Sequence, residues 1–231
     1  MINDRLFMLS DESGLFLSQR KLPQMAQFKT SIEKGSIRVS FEGESIEIPI
    51  DTICHSERTV TVWKDSFIAG IMPSLFNKWF SERLNQPIEL MQYQASNPRR
   101  RSHKDIHFVS SFADGYPILL SNSSSLQELN RQLDTPISMD RFRPNIVVEG
   151  LPAWQELNYS KIQLNDKLNI VAKPCERCTV TTIDQNTGLR TGKEPLKTLT
   201  SIGNGKAIFG LNLALESGIL LQPGTQMTFL K

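Results

Sequence analysis

The stretch KPCERCTVTTI (Lys173–Ile183) sets two cysteines three apart between one apolar run, LNIVA, and another, TVTTI. Its β-branched run from Thr179 to Ile183 favours extended backbone, because branched side chains are stiff at χ1 and fit a pleated surface. This predicts a strand directly after Cys178. A thioredoxin-type redox pair needs a helix there instead, with its N-terminus lowering the thiol pKa. The strand reading therefore argues against a dithiol oxidoreductase. It leaves half of a zinc site, one working thiolate with a bystander, or two small buried side chains.

Ligand counting narrows the list. The 231 residues hold three cysteines, Cys54, Cys175 and Cys178, and three histidines, His55, His103 and His107. A structural zinc site takes four N or S ligands, and only one pair here has ligand-like spacing. A cluster on four thiolates lacks its fourth cysteine. A small, odd cysteine count is also not a disulfide scaffold. Arg177 beside Cys178, with Lys173 nearby, would favour a thiolate, and a soft thiolate suits a soft or high-valent metal held partly by another ligand.

Outward from this segment the chain reads as many short strands. RLFML (Arg5–Leu9) and LFLSQR (Leu15–Arg20) flank the turn SDESG as a hairpin. SIRVSF and SIEIPI flank EGE, and TVTVW and PIELMQY follow the same extended pattern. PSLFNKWFSERL (Pro73–Leu84) changes period, with Leu75, Phe76, Trp79, Phe80 and Leu84 on one helical face and Pro73 in its first turn. FADGYPILLS contains a turn at Asp114-Gly115 and then a buried strand. SSLQELNRQL (Ser124–Leu133) is a helix with Ser124 as N-cap and Gln127 completing a capping box. RFRPNIVVEG, KLNIVAKP and TQMTFL are strand-like, and EPLKTL is a short helix. The fold class is mainly β with a few helices, a β-barrel or strongly curved sheet with helices at its edges. The basic run NPRRRSHKD (Asn97–Asp105) is predicted as a solvated loop between residues 1–96 and 97–231; the alternative is an anion contact near a bound ligand.

Composition excludes several classes. With 39% hydrophobic and 22% charged residues the chain has ordinary globular content. A net charge of +2 gives no argument for nucleic acid. No apolar run is long enough to cross a bilayer, and the N-terminus carries charges where a signal peptide needs an apolar stretch. No membrane association and a cytoplasmic location are expected. No P-loop or G-x-G-x-x-G is present. In RFRPN (Arg141–Asn145) two arginines precede a proline and an asparagine; arginine forks suit phosphate, while two surface arginines beside a turn proline is the plainer reading.

FADGYPILLSN, RFRPNIVVEG, KPCERCTVTTIDQNTG and EPLKTL occur in this order, and as a set they resemble the MOSC family. Within it the chain is similar to the group with an N-terminal MOSC β-barrel segment, through NDRLFMLSDESGLFLSQRKLPQM and TVTVW. The resemblance implies a MOSC-type β-barrel after a β-rich N-terminal segment, and a molybdenum cofactor on a pterin dithiolene. It gives Cys178 the role of molybdenum ligand and catalytic residue. It gives Arg143 and Asn145 of the R-P-N motif the grip on the pterin and its phosphate. Arg20 in SQRKLPQ, the Asp114-Gly115 turn, Glu176 and Arg177 complete the implied cofactor contacts, with Glu176 standing where the family often has serine. Cys175 is expected to be a packed neighbour.

The implied activity is reduction of small N-hydroxylated substrates (hydroxylamines, amidoximes or N-oxides). The family's usual first strand, with a Pro-Val-Lys-Ser-like motif, is expected to be missing, since Met1 falls just past it. Electrons are expected from a separate donor protein, ferredoxin-like or a flavoprotein reductase. A carrier of cofactor or sulfur without turnover is the alternative, and a degenerate barrel kept for protein contacts is a third.

Overall fold

A computed structural model describes residues 3–104, 106–164, 167–214 and 221–231. The first part runs β1 (Phe7–Ser10), β2 (Lys29–Glu33), β3 (Ser36–Phe41), β4 (Glu44–Pro49), β5 (Ser56–Val62), β6 (Asp65–Ile71), α1 (Ser74–Leu84) and β7 (Glu89–Tyr93). One antiparallel sheet has the order β1-β7-β6-β5, and β2-β3-β4 form a second. The outer strands of the first sheet are linked by two isolated bridges, Ser10 to Phe16 and Leu15 to Thr61. The predicted second hairpin strand, Leu15–Arg20, therefore exists only at its start.

The rest runs β8 (Arg100–His103), β9 (Ile106–Val109), β10 (Ile118–Asn122), α2 (Ser123–Asn130), β11 (Ile146–Val148), β12 (Lys161–Leu164), β13 (Lys167–Glu176), α3 (Leu196–Ile202), β14 (Ile208–Ala214) and β15 (Met227–Leu230). Six of these strands form a sheet ordered β11-β10-β14-β13-β12-β15, in which only β10 and β11 are parallel. The protein is mainly β, as expected. No helix among the described residues is long and apolar enough to cross a membrane.

Alternation sets the cores. Ile48, Met72, Phe76, Phe80, Leu84 and Leu90 pack together where α1 covers the first part. Leu120, Ile162, Leu211 and Leu213 fill the six-stranded sheet. Phe142, Leu129, Leu199 and Phe209 form a further cluster, in which the Phe142 and Phe209 rings stack with centroids 3.8 Å apart.

Four expectations need correction. Leu75 is 66% exposed, because the buried row of α1 is Phe76, Phe80 and Leu84, four residues apart, and Leu75 lies off it. The N-cap of α2 is Asn122, whose side chain accepts the Ser124 N–H at 3.0 Å; asparagine caps as well as serine does. The basic run is not a solvated loop. Its Arg99 is 3% exposed and binds Asp65 Oδ2 at 2.7 and 2.8 Å, and Arg100–His103 pairs with Ile106–Val109 as a hairpin. Finally, Thr179–Thr182 forms a 3-10 turn, not a strand. Local bonding outweighs β propensity there: the Thr181 and Thr182 hydroxyls donate to the carbonyls of Cys178 and Thr179 at 3.0 and 2.8 Å.

Candidate functional site

The R-F-R-P-N motif divides its arginines between two tasks. Its first two residues end a short 3-10 turn (Met139–Phe142), and Arg143 follows in the left-handed region with φ 53°. That reversal sends neighbouring side chains opposite ways. Arg141 is buried, and its guanidinium donates to Asp184 Oδ2 at 3.0 Å. Arg141 thus ties the motif to the loop that follows Cys178.

Arg143 is the opposite case. Among the described residues it has no ion pair or side-chain hydrogen bond. Its side chain is exposed. Desolvation, then the charges of Arg5 and Arg177, push its pKa below the ordinary arginine value, against the opposing pull of Asp114 and Asp4. The group stays charged at neutral pH. Asp4 cannot neutralise it, being bonded to Arg5 and to the Asn145 amide at 3.1 Å. Asp114 accepts from the Trp63 indole N–H at 3.2 Å. Arg143, without a partner among the described residues, thus lies within reach of the like charges of Arg5 and Arg177.

The other predicted residues fall unevenly around it. Asn145 is held by the fold: its Oδ1 accepts the Leu119 N–H at 2.8 Å, and its Nδ2 serves Asp4. This fastens the Asp4-Arg5 segment to β10. Arg177 donates from Nη2 to the Phe142 carbonyl at 2.9 Å and from Nη1 to Cys175 Sγ at 2.9 Å. Its Nε is buried with no partner. Cys175 is accordingly half-exposed and bonded to Arg177, not simply packed away. Cys178 is half-exposed at the N-cap of the 3-10 turn, where its carbonyl holds Thr181 in place. Gly115 accepts at its carbonyl from the Ser110 hydroxyl at 3.4 Å. Glu176 stands apart, its carboxylate 3.4 Å from Lys206 and both side chains exposed.

Arg20 reaches the site from the N-terminal part. Its guanidinium lies 4.5 Å from the Trp63 ring centroid, and its carbonyl accepts from Arg190 at 2.7 Å. Lys29 reinforces that approach through the Gln185 carbonyl at 2.7 Å. Sequence reasoning missed Asp4, Arg5 and Trp63. Asp4 and Arg5 looked like the edge of a strand, and Trp63 like the end of one. A tryptophan at a tight hairpin turn was the available signal. A cavity of about 270 Å³ adjoins Asp4, lined also by Leu6, Tyr93, Val109, Ser111 and Pro117. The Tyr93 hydroxyl is buried without a partner.

Asp184 gives a pH test of the Arg141 clamp. Backbone N–H groups of Thr187 and Asn186, with smaller help from Arg141, hold its pKa below the ordinary carboxylate value. A depressed carboxylate contributes stability above its unfolded pKa of about 4 and loses it as pH falls through the folded value. Asp184→Asn is therefore expected to cost about 1–2 kcal/mol at pH 7, within the range for charge-assisted hydrogen bonds. The deficit shrinks as pH drops below about 4. Denaturant titrations at both pH values check this; a deficit independent of pH would contradict it.

Comparison with known proteins follows the same division of the chain. The model of the MOSC N-terminal beta barrel domain matches residues 1–87, and that of the MOSC domain matches residues 107–228. "Mitochondrial amidoxime reducing component 2" of Rattus norvegicus is 28% identical over 214 residues, covering 87% of this chain and 62% of its own. "Molybdenum cofactor sulfurase" of Oryza sativa subsp. japonica is 25% identical over 241 residues, covering 94% of this chain and 29% of its own. "Mitochondrial amidoxime reducing component 2" of Homo sapiens is 33% identical over 130 residues, 54% of this chain and 39% of its own. The chain thus spans less than two thirds of each of these relatives. A solution structure of a Bordetella bronchiseptica protein aligns over 39% of this chain and 72% of its own, at 16% identity and a TM-score of 0.35, too slight a likeness to bear on the fold. With the MOSC model matching more than half of its 231 residues, behind a matched N-terminal barrel segment, the chain belongs to the MOSC domain family.

Proposed function

We propose that this protein binds the molybdenum cofactor and reduces N-hydroxylated compounds, taking electrons from a separate donor protein of ferredoxin-like or flavoprotein type. The observation that carries the reading is Arg143, an exposed guanidinium with no partner among the described residues, set near the like charges of Arg5 and Arg177. Like charges set close together repel, and an anionic group joining them turns that repulsion into attraction, so this cluster suits an anion. The phosphate of the cofactor suits that place, and the orphaned Nε of Arg177 adds a donor beside it. Half-exposed Cys178, next in the chain to Arg177, supplies the thiolate.

When bound, the cofactor supplies two-electron, oxygen-removing chemistry. The chain's own residues bind and orient. Arg143 and Arg177 would hold the phosphate end. The 3-10 turn fixes the backbone at Cys178, and Arg141 with Asp184 holds the following loop. Reduction of a hydroxylamine or amidoxime takes two electrons and two protons and releases the amine or amidine and water.

Protein purified from a molybdenum-replete host is expected to reduce at least one of these substrate classes with a chemical reductant, measured as amine or amidine formed. Protein that holds the cofactor yet reduces none of them, with any chemical or protein donor, would establish the carrier role instead.

A further inference from the structure

Trp63 closes TVTVW, a segment of the family resemblance to which no cofactor contact is assigned, yet it touches two of the residues that are assigned one. Its indole N–H donates to Asp114 Oδ1 at 3.2 Å. Its ring lies under the Arg20 guanidinium, 4.5 Å from the centroid. Phe16 closes on it edge-to-face, with centroids 5.7 Å apart. Arg20 and Trp63 belong to the segment matched by the N-terminal barrel model, and Asp114 to the segment matched by the MOSC model.

The backbone shows that this placement is costly. Trp63 is the first of two turn residues joining β5 to β6, with Val62 paired to Asp65. Its φ is 59°, in the left-handed region. Glycine is the usual occupant of such a turn position, and a bulky side chain there is an outlier. Nor does the ring contribute a buried core, since Trp63 is 43% exposed. A strained, half-exposed tryptophan is a poor choice for stability. It persists where the surroundings over-determine it, which is common at functional sites.

We infer that Trp63 is a positioning residue: its indole latches Arg20 to the Asp114 turn, so that the two matched segments present one anion-binding surface. The cofactor role of that surface rests on the reading proposed above; the latch itself does not. An aromatic face both attracts the guanidinium and restricts its plane, which an aliphatic side chain cannot do. The N–H bond to Asp114 fixes the ring's rotation.

The test compares wild type, Trp63→Phe and Trp63→Gly. In cofactor-free protein, the rate of phenylglyoxal modification at Arg20, mapped by peptide mass spectrometry, should rise about twofold to fivefold in Trp63→Gly, the range an exposed cation–π contact supports. Trp63→Phe keeps the face and should change it by less than about twofold. Molybdenum bound per chain should fall in the same order. The unfolding midpoint of Trp63→Gly should be unchanged or raised, because glycine relieves the positive φ. Equal Arg20 reactivity in all three proteins would overturn the latch. So would full molybdenum content in Trp63→Gly, or a lowered midpoint, which would make Trp63 a scaffold residue. If wild type takes up no molybdenum, the cofactor reading fails while the Arg20 rates still judge the latch.

Discussion

Arg143→Ala is expected to weaken retention of the cofactor on the order of 100-fold, the cost of truncating one partner of a desolvated charge pair. The stability of the empty protein should move the other way. Arg143 is exposed, and the like charges of Arg5 and Arg177 and partial desolvation both disfavour its charge. Removing it relieves both, so the unfolding midpoint should hold or rise. A residue kept at a cost to the empty fold is what a binding site requires. Arg143→Lys restores the charge without the planar fork and should recover only part of the affinity. Equilibrium dialysis against released cofactor, paired with denaturant titration of the empty chain, measures both effects. A destabilised Arg143→Ala with unchanged retention would make Arg143 a structural residue.

The second large effect lies one residue earlier. Phe142 is 1% exposed, and its ring stacks on Phe209 at 3.8 Å and 18°. Its carbonyl accepts from Arg177, whose guanidinium also lies 5.5 Å from the Phe142 ring centroid. Phe142→Ala should cost about 3–5 kcal/mol, the range for deleting a core phenyl ring, because the stacked partner leaves little room for collapse. It should also free Arg177, so retention of the cofactor falls with stability. Phe142→Leu should recover much of the stability. A loss under about 1 kcal/mol in the alanine variant would contradict the packing described here.

These two neighbours show how far the sequence could be read. Strands such as β3, β4, β5 and β7 and the three helices follow from alternation, period and turn residues, whereas β2, β6, β8, β9 and β12 do not stand out that way. The pattern of RFRPN suggested paired arginines for an anion. It could not separate Arg141, clamped to Asp184, from Arg143, exposed and without a partner among the described residues, because their fates depend on a single left-handed residue and on loops far away in the chain. The run TVTT favours a strand on propensity, yet hydroxyl groups bonding to carbonyls three residues back made it a 3-10 turn. The basic run looked solvated because the partner that holds its buried Arg99, Asp65, lies more than thirty residues earlier. Trp63 was invisible as a site residue for the same reason: its partners Arg20 and Asp114 meet it only in three dimensions.

The central claim is that this chain holds a molybdenum cofactor through Cys178 at the thiolate end and Arg143 at the anionic end. It is tested most directly by the molybdenum and pterin bound per chain in wild type and Cys178→Ala, both purified from molybdenum-replete cells. Stoichiometric metal and pterin in wild type are expected, with metal lost from Cys178→Ala while part of the pterin stays on the arginines. A wild-type chain free of both, and unable to take them up on reconstitution, would contradict the account.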